Sequence, residues 1–415
     1  MWVCFLGEAM GSSAMKVLIV DCVGEWGGPQ RSLLELAAAL AAEGVSVQVA
    51  APAGPLADAL RAASIPVHPI PTVRFHRRWN PRRVWDACRW VLALWALGRV
   101  VRAVNPDILH ANNTVSAVLS VQIRRNRIVV WHVRNLLVSN SAIRYLARRV
   151  TGMIAISETV EERLMDGVGS FLRSKIHLLR NGIDTRHFRP GDRAEARRKF
   201  ALPLDVPLVG MIANLTPWKR HAFFLDIASK VHRARNDVRF VLAGGDRFND
   251  YPRLRATLDA RIATKGLTGC LQWLPDDIDT SELLPALDVL VHPAVSEPFG
   301  RVVCEAMSAE IPVVVANASG LHNIVPHGRG GYLLPPGRAD LFAEQILRLL
   351  DQPALARQQG EAARKHVQAE FDIARTARET QDLYGMLLDR ESLDLRRTQE
   401  EKEERRHRFD ALDER

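Results

Sequence analysis

Two carboxylates, a lysine and a histidine stand where their types and spacing could do chemistry. Glu297 and Glu305 are eight residues apart in the stretch 294–320, AVSEPFGRVVCEAMSAEIPVVVANASG. Pro298 and Gly300 give its opening turn chemistry: proline cannot enter a helix interior, and glycine tolerates a strained or closely approached backbone. From Arg301 the apolar spacing of Val302, Val303 and Met307 predicts a helix, and residues 311–316 predict an interior strand. One carboxylate therefore belongs to a loop and the other lies about a turn into a helix. An open helix N-terminus beside acids suits a ligand carrying phosphate and hydroxyls. The amides face the anion and the carboxylates accept from a sugar. Each acid also has a plainer reading, Glu305 paired with Arg301 across one turn and Glu297 solvated in its loop.

Lys219 and Arg220 end the string LVGMIANLTPWKR, which starts at Leu208 and reads as a strand followed by a turn. Gly245 lies in a second glycine turn after the apolar run at 240–243. Gly27 and Gly28 follow the run at 17–20, giving strand, glycine-rich turn and helix. That is a phosphate-cradling arrangement, although it is not G-x-G-x-x-G, and such turns are often only tight connections. His110 and His132 each end a predicted strand at its carboxyl edge, where parallel-sheet proteins place ligands; a lone histidine there is more often structural.

The elements needed to hold these residues recur in both halves of the chain. Strands are expected at 17–21, 45–50, 67–70, 107–110, 127–132 and 151–157, then from 208 and from 240, each running into a turn, and at 270–274, 289–291 and 311–316. Helical segments alternate with them, so the fold class is α/β with two doubly wound, Rossmann-like domains. A length of 415 residues allows two domains, each with its own core, and 47% hydrophobic content argues for an ordered globular chain. The expected divisions are an extension at 1–14 before Met15, a first domain at 15–190, a second at 191–370, a helix at 371–390 crossing back to the first, and a charged tail at 391–415. The polar stretch 189–196 reads as the linker.

The net charge of +9 is uneven. Residues 1–190 carry 24 Lys and Arg against 13 Asp and Glu, a balance of +11, and the remainder carries 32 against 34. An anionic partner for the first half follows. No basic helix-turn-helix or aromatic stacking platform is evident, so nucleic acid is not expected. Five scattered cysteines without C-x-x-C argue against a disulfide framework or zinc site and for a reducing, cytoplasmic setting. Between Arg74 and Trp95, arginines surround Trp79, Trp85 and Trp90, and an uncharged run follows from Trp90 to Leu97. This segment reads either as a helix packed on the sheet with a basic end or as a helix lying on an anionic membrane surface.

The string S-E-P-F-G-x-V-x-x-E-A-M-x-x-x-x-P-V-V resembles the E-x7-E signature of the retaining, nucleotide-sugar-dependent glycosyltransferases of family 4. The resemblance extends from about Lys16 to Leu388, and Asn181-Gly182-Ile183-Asp184 is similar to the family motif closing the first domain. It implies the GT-B architecture, two domains facing a central cleft with the donor held mainly by the second. It also implies roles: Lys219 on the diphosphate, Glu305 on the ribose, and Glu297 and His132 by the transferred sugar. Gly27, Gly28, Gly245, Phe299, Gly300 and Arg301 would lie around the donor. The implied donor is a UDP- or GDP-linked hexose, with no divalent metal or other cofactor. The implied acceptor is lipid-linked or a surface glycan, in envelope polysaccharide assembly on the inner face of the membrane. Three positions depart from the family pattern: Asn214 stands where an arginine is usual, Glu310 where glycine is common, and Asn323 where glutamate is common. Arg220 or Arg31 could replace the missing cation. A sugar-nucleotide 2-epimerase and a non-catalytic glycan- or nucleotide-binding partner are the competing functions.

Overall fold

A computed structural model describes residues 14–24, 26–73, 83–124, 127–136, 139–246, 250–276 and 278–413. The short apolar runs of the first half form β1 (Lys16–Val20), β2 (Ser46–Ala51), β3 (Val67–Pro69), β4 (Ile108–Ala111), β5 (Ile128–Val133), β6 (Gly152–Ala155) and β7 (Ile176–Leu178). They pair in the order β3-β2-β1-β4-β5-β6-β7, all parallel. Such a sheet is covered on both faces, which is why its strands read as unbroken apolar runs. The order reverses between β1 and β4, placing a crevice at their carboxyl ends.

Among the described residues, six helices connect these strands: α1 (Gly28–Ala42), α2 (Pro55–Ala62), α3 (Arg83–Val104), α4 (Thr114–Ile123), α5 (Asn140–Ala147) and α6 (Glu158–Gly167). One face of the sheet packs on α1 and α2 through Leu33, Leu36, Leu56 and Leu60. The other packs on α3 to α6 through Ala93, Leu97, Leu119, Ile143 and Leu164. Helix α1 starts at Gly28, several residues before the expected start. Gly27 is its extended N-cap and Pro29 lies in its first turn, where a missing N–H costs nothing. The glycine turn is therefore shorter than expected.

The second half opens with α7 (Arg193–Lys199), so the stretch expected as linker is partly helical. Asp192 caps that helix, accepting from the amides of Ala194 and Glu195. Buried Arg197 then ties α7 to the second domain, donating to Asp288 Oδ2 at 2.9 Å and to the carbonyl oxygens of Leu204 and Val206. The second sheet contains β8 (Leu208–Ile212), β9 (Arg239–Ala243), β10 (Leu271–Leu274), β11 (Val289–His292), β12 (Val313–Ala316) and β13 (Gly331–Leu334), in the order β10-β9-β8-β11-β12-β13. Its helices are α8 (His221–Ala234), α9 (Leu254–Thr264), α10 (Thr280–Leu283), α11 (Arg301–Ser308), α12 (Ala339–Asp351) and α13 (Pro353–Glu370).

Helix α14 (Ile373–Asp413) returns to the first domain. Tyr384 and Leu387 pack with Ile19 and Leu36, and Leu387 lies so close to Gly152 that a β-carbon there would sit 3.1 Å from it. The charged segment beyond 390 continues the same helix to Asp413. Glu310 has φ +63°, the left-handed region that favours glycine, which accounts physically for the glycine common at this place.

Candidate active site

Local chain geometry presents Glu297. The loop before α11 is pinned on three sides. Gly320 N donates to Glu297 O at 2.9 Å, Ser157 of the first domain donates its hydroxyl to Pro298 O, and Val295 N donates to Trp218 O at 3.2 Å. Gly300 turns the chain at φ +105°, and a β-carbon there would lie 2.6 Å from Leu321. Only glycine satisfies both the angle and the approach. Helix α11 starts after Gly300 with no side-chain cap, leaving its first amides available to an anion. Phe299 is buried edge-on against Phe371, so its side chain belongs to the core and only its backbone can serve a ligand.

Glu297 is buried, not solvated. Its Oε2 accepts from Lys219 Nζ and faces His292 Nε2 at 2.9 Å. Burial pushes the carboxyl up, but the Lys219 charge and the His292 hydrogen bond win and hold it at about 2. Both bonds fall on Oε2, which leaves Oε1 to accept from a hydroxyl. Lys219 ends the short turn Pro217–Lys219, while Arg220, at φ +59°, stacks over Phe223 at 4.7 Å and not on this cluster. Asn214, half-buried beyond β8, places no charge here.

Glu305 is buried one turn into α11. Arg301 Nε lies 2.7 Å from its Oε1, the one-turn pair anticipated from spacing, and Thr280 donates to its Oε2 at 3.1 Å. Arg301 also reaches across to the first domain, donating to Glu35 on α1. Burial raises the Glu35 carboxyl against the lowering influence of Arg301. Arg31, one turn earlier on α1, donates to Asp279 Oδ1 at 2.9 Å and Thr280 Oγ1 at 3.0 Å. A cleft of about 790 Å³ opens beside these groups, lined by Trp26, Arg31, Gly54, Asp276 and Asp279 among others. Gly245 lies at its rim, where a β-carbon would collide with the Asp276 carboxylate.

The carboxyl ends of β1, β4 and β5 carry a second polar cluster. Buried Asp21 accepts from Asn112 at 2.6 Å and from the Val23 amide at 2.7 Å; its carboxyl is raised by burial. Buried Arg134 donates to Asn112 at 2.6 Å, Ser32 at 2.8 Å and Asn181 at 3.0 Å, and burial lowers its pKa to about 9. It also donates to His132 Nδ1 at 3.2 Å. A guanidinium can only donate, so Nδ1 accepts and the neutral His132 ring carries its proton on Nε2. His110 Nε2, 3.0 Å from the same Nδ1, must then also donate, and its Nδ1 accepts the Tyr384 hydroxyl at 2.6 Å. Burial, reinforced by Arg134, holds His110 at about 3 and His132 well below its ordinary value. His132 is thus a neutral donor whose buried Nε2 has no protein partner.

Two family profiles cover most of the chain: Glycosyltransferase Family 4 over residues 26–187 and Glycosyl transferases group 1 over residues 192–366. The chain belongs to this glycosyltransferase family. The α-maltose-1-phosphate synthase of Mycolicibacterium smegmatis is 28% identical over 261 residues, 60% of this chain and 66% of that protein. A D-inositol 3-phosphate glycosyltransferase of Kribbella flavida is 28% identical over 51% of each. The matched region thus spans about half to two thirds of these relatives. Among solved structures, Anabaena HepE in complex with UDP-glucose shares the fold with TM-score 0.76 and 22% identity over 90% of this chain and 100% of that one. Sucrose-phosphate synthase from Thermosynechococcus elongatus shares it with TM-score 0.74 and 21% identity. This glycosyltransferase therefore has the GT-B architecture, two α/β domains facing a cleft.

The structure brings Lys219 against Glu297, and Arg301 against Glu305. It did not find His292, Glu35, Asp279, Thr280 or Arg134 as part of the site. His292 and Asp21 had a local signal, a polar side chain ending an apolar strand. Glu35 and Asp279 had none, because each meets its arginine, Arg301 or Arg31, only where the two domains come together.

Proposed function

We propose that this glycosyltransferase moves a hexose, with retention of anomeric configuration, from a UDP- or GDP-linked donor to a lipid-linked or surface-glycan acceptor. The observation that carries the reading is the Lys219–Glu297–His292 cluster beside the uncapped start of α11. As the glycosidic bond breaks, charge builds on the departing diphosphate. Lys219 and the α11 amides would stabilise it, and Arg31, already at the cleft, is a better substitute than Arg220 for the cation that Asn214 does not provide. With these cations the reaction would need no divalent metal. Glu297 Oε1 and His132 Nε2 supply one acceptor and one donor for sugar hydroxyls, and Glu305 would take the ribose. HepE is described in complex with UDP-glucose, which supports a nucleotide-sugar donor. Envelope assembly at the inner membrane face fits the basic first domain.

The experiment is a thermal-shift panel of nucleotide sugars, followed by donor hydrolysis without acceptor and in the presence of chelator. A saturating donor at a hundredfold above its Kd stabilises by about 2.7 kcal/mol. Slow chelator-resistant hydrolysis of the stabilising donor supports the proposal. Interconversion of the free sugar nucleotide would make the protein an epimerase, and binding without hydrolysis or transfer would make it a non-catalytic partner.

A further inference from the structure

One face of the first domain has a composition the reaction does not use. From Ala87 to Ser157 the sequence has ten arginines, no lysine and a single acid, Asp107. This segment spans α3, α4 and α5, which lie side by side on the same face of the first sheet. A balance of +9 over 71 residues is far from the average, and among the described residues eight of those arginines lie outside the buried network of Arg134.

The same face exposes apolar side chains. Helix α3 buries Ala93, Leu97 and Val101 and turns Val91, Leu92 and Trp95 outward, at 66%, 53% and 59% exposure. Arg99 stacks over Trp95 at 4.8 Å, and on α5 Arg149 stacks over exposed Tyr145 at 4.0 Å. Arg124, beyond α4, donates to the Arg149 carbonyl and so ties α4 to α5. Phe171, 89% exposed, lies on a helical turn that Lys175 fastens to the carbonyls of Ala147 and Val150 at the end of α5. Five of the nine large apolar side chains exposed among the described residues are therefore here. Between α3 and the end of α4 runs a groove of about 270 Å³ with Leu94, Trp95 and Val101 on one side and Arg102 and Arg127 at its edge.

We propose that the α3–α4–α5 face is a docking surface for an anionic lipid bilayer. Aromatic rings capped by guanidinium groups place an apolar body and a cationic tip at one level, the arrangement that suits the headgroup boundary. Exposed Val91 and Leu92 would enter the acyl boundary, and Arg99, Arg102, Arg144 and Arg148 would meet lipid phosphates. Nucleic acid would use the charge but has no use for exposed aliphatic side chains, and a second copy of this chain would meet a face of its own sign. No helix among the described residues is long and apolar enough to cross a membrane, so attachment would be peripheral. Arg74, Arg77, Arg78, Trp79 and Arg82, which first suggested a membrane segment, lie outside the described residues, and the proposal stands without them.

The test is co-sedimentation of the full chain with vesicles of phosphatidylcholine alone and of phosphatidylcholine with phosphatidylglycerol. Expected is binding to the anionic vesicles that falls as salt rises toward about 0.5 M, where screening acts within a few ångströms. Arg99→Glu with Arg102→Glu should weaken partition at least about tenfold, and Leu92→Ser with Trp95→Ser should weaken it comparably. All four side chains are exposed, so unchanged thermal midpoints and unchanged donor hydrolysis in these variants keep the result separate from the catalytic proposal. Absence of binding at low salt, equal binding to neutral vesicles, or equal binding by the charge-reversed variant overturns the docking surface. So does tighter binding to duplex DNA than to vesicles, or dimerisation in light scattering that Leu92→Ser with Trp95→Ser abolishes.

Discussion

At the scale of single residues, the site depends on charges kept out of water. Glu297 is stabilised as an anion by Lys219, so Lys219→Met leaves a buried carboxylate unpaired and should cost on the order of 3–5 kcal/mol of stability. It should also lower kcat by roughly 10²–10³, the magnitude of losing one preorganised electrostatic contact. Denaturant titration and initial rates check the two effects separately; a folded variant with near-native turnover would remove Lys219 from the mechanism. The pH dependence has two parts. A depressed carboxyl such as Glu297 contributes stability that is complete above its ordinary 4.5 and disappears as pH falls toward 2. Buried neutral histidines are depressed too, His110 to about 3 and His221 to about 4, so their contribution is complete above 6.5 and declines below it. Stability should therefore begin to fall below about pH 6.5, before the pH range in which Glu297 contributes is reached. A denaturation midpoint that stays constant between pH 7.5 and 5 would contradict this. Tyr384→Phe, which leaves His110 Nδ1 without its donor, should cost about 1–3 kcal/mol. Nitrogen NMR should then show whether His132 keeps its proton on Nε2. Retention of that tautomer in Tyr384→Phe would assign the enforcement to Arg134 alone.

At the scale of elements, α14 has two parts with different tasks. Its first turns are bound to the first domain: Thr376 donates to Arg180 O at 3.1 Å, and Leu383, Tyr384 and Leu387 are buried. Each such side chain is worth about 1.5–3 kcal/mol. Beyond Arg390 the side chains described are mostly exposed. Ending the chain after Arg390 should leave the thermal midpoint nearly unchanged, whereas ending it before Leu383 should destabilise the first domain by several kcal/mol. Thermal melts of the two truncations check this; equal loss in both would mean the charged segment packs where it now looks solvated. Helix α11 illustrates the opposite economy. Eight residues suffice because Gly300 and the pinned loop set its start, and its uncapped amides are left for a ligand.

At the scale of the whole molecule, the two domains are joined across the cleft by charges that the ligand would also use. Arg31 on α1 is bound to Asp279 and Thr280, and Arg301 on α11 to Glu35. Asp279 is held well below the usual carboxylate range; burial opposes this, but His187 and Arg31 prevail. Asp279→Asn should loosen this contact and let the cleft widen. The checks are a larger radius of gyration in small-angle scattering and faster amide exchange in α10. An unchanged scattering profile would mean that the remaining contacts, Arg301–Glu35, Ser157–Pro298 and α14 among them, hold the domains together without Asp279.

The alternation of strand and helix, the carboxylate spacing and the turn carrying Lys219 were legible in the chain alone. These are local matters: apolar periodicity, glycine and proline positions, and residues within one element. Glu297 and Glu305 stood out because the string around them resembles the family signature; their spacing alone fits a solvated loop acid and a one-turn ion pair as well. Apart from Arg301, one turn from Glu305, the partners of those residues were not legible. His292 meets Glu297 because β11 ends beside the loop, and Glu35 meets Arg301 across two domains, 266 residues apart. Arg134 reads as one more arginine of a basic half until Asn112 beyond β4, Ser32 on α1 and Asn181 beyond β7 converge on it. Which face of α3 is exposed was equally undecided, since its apolar residues surround the helix and only packing against the sheet chose Ala93, Leu97 and Val101 for the core. Long-range pairing and the choice of face are properties of packed surfaces, and those exist only once the sheets are assembled.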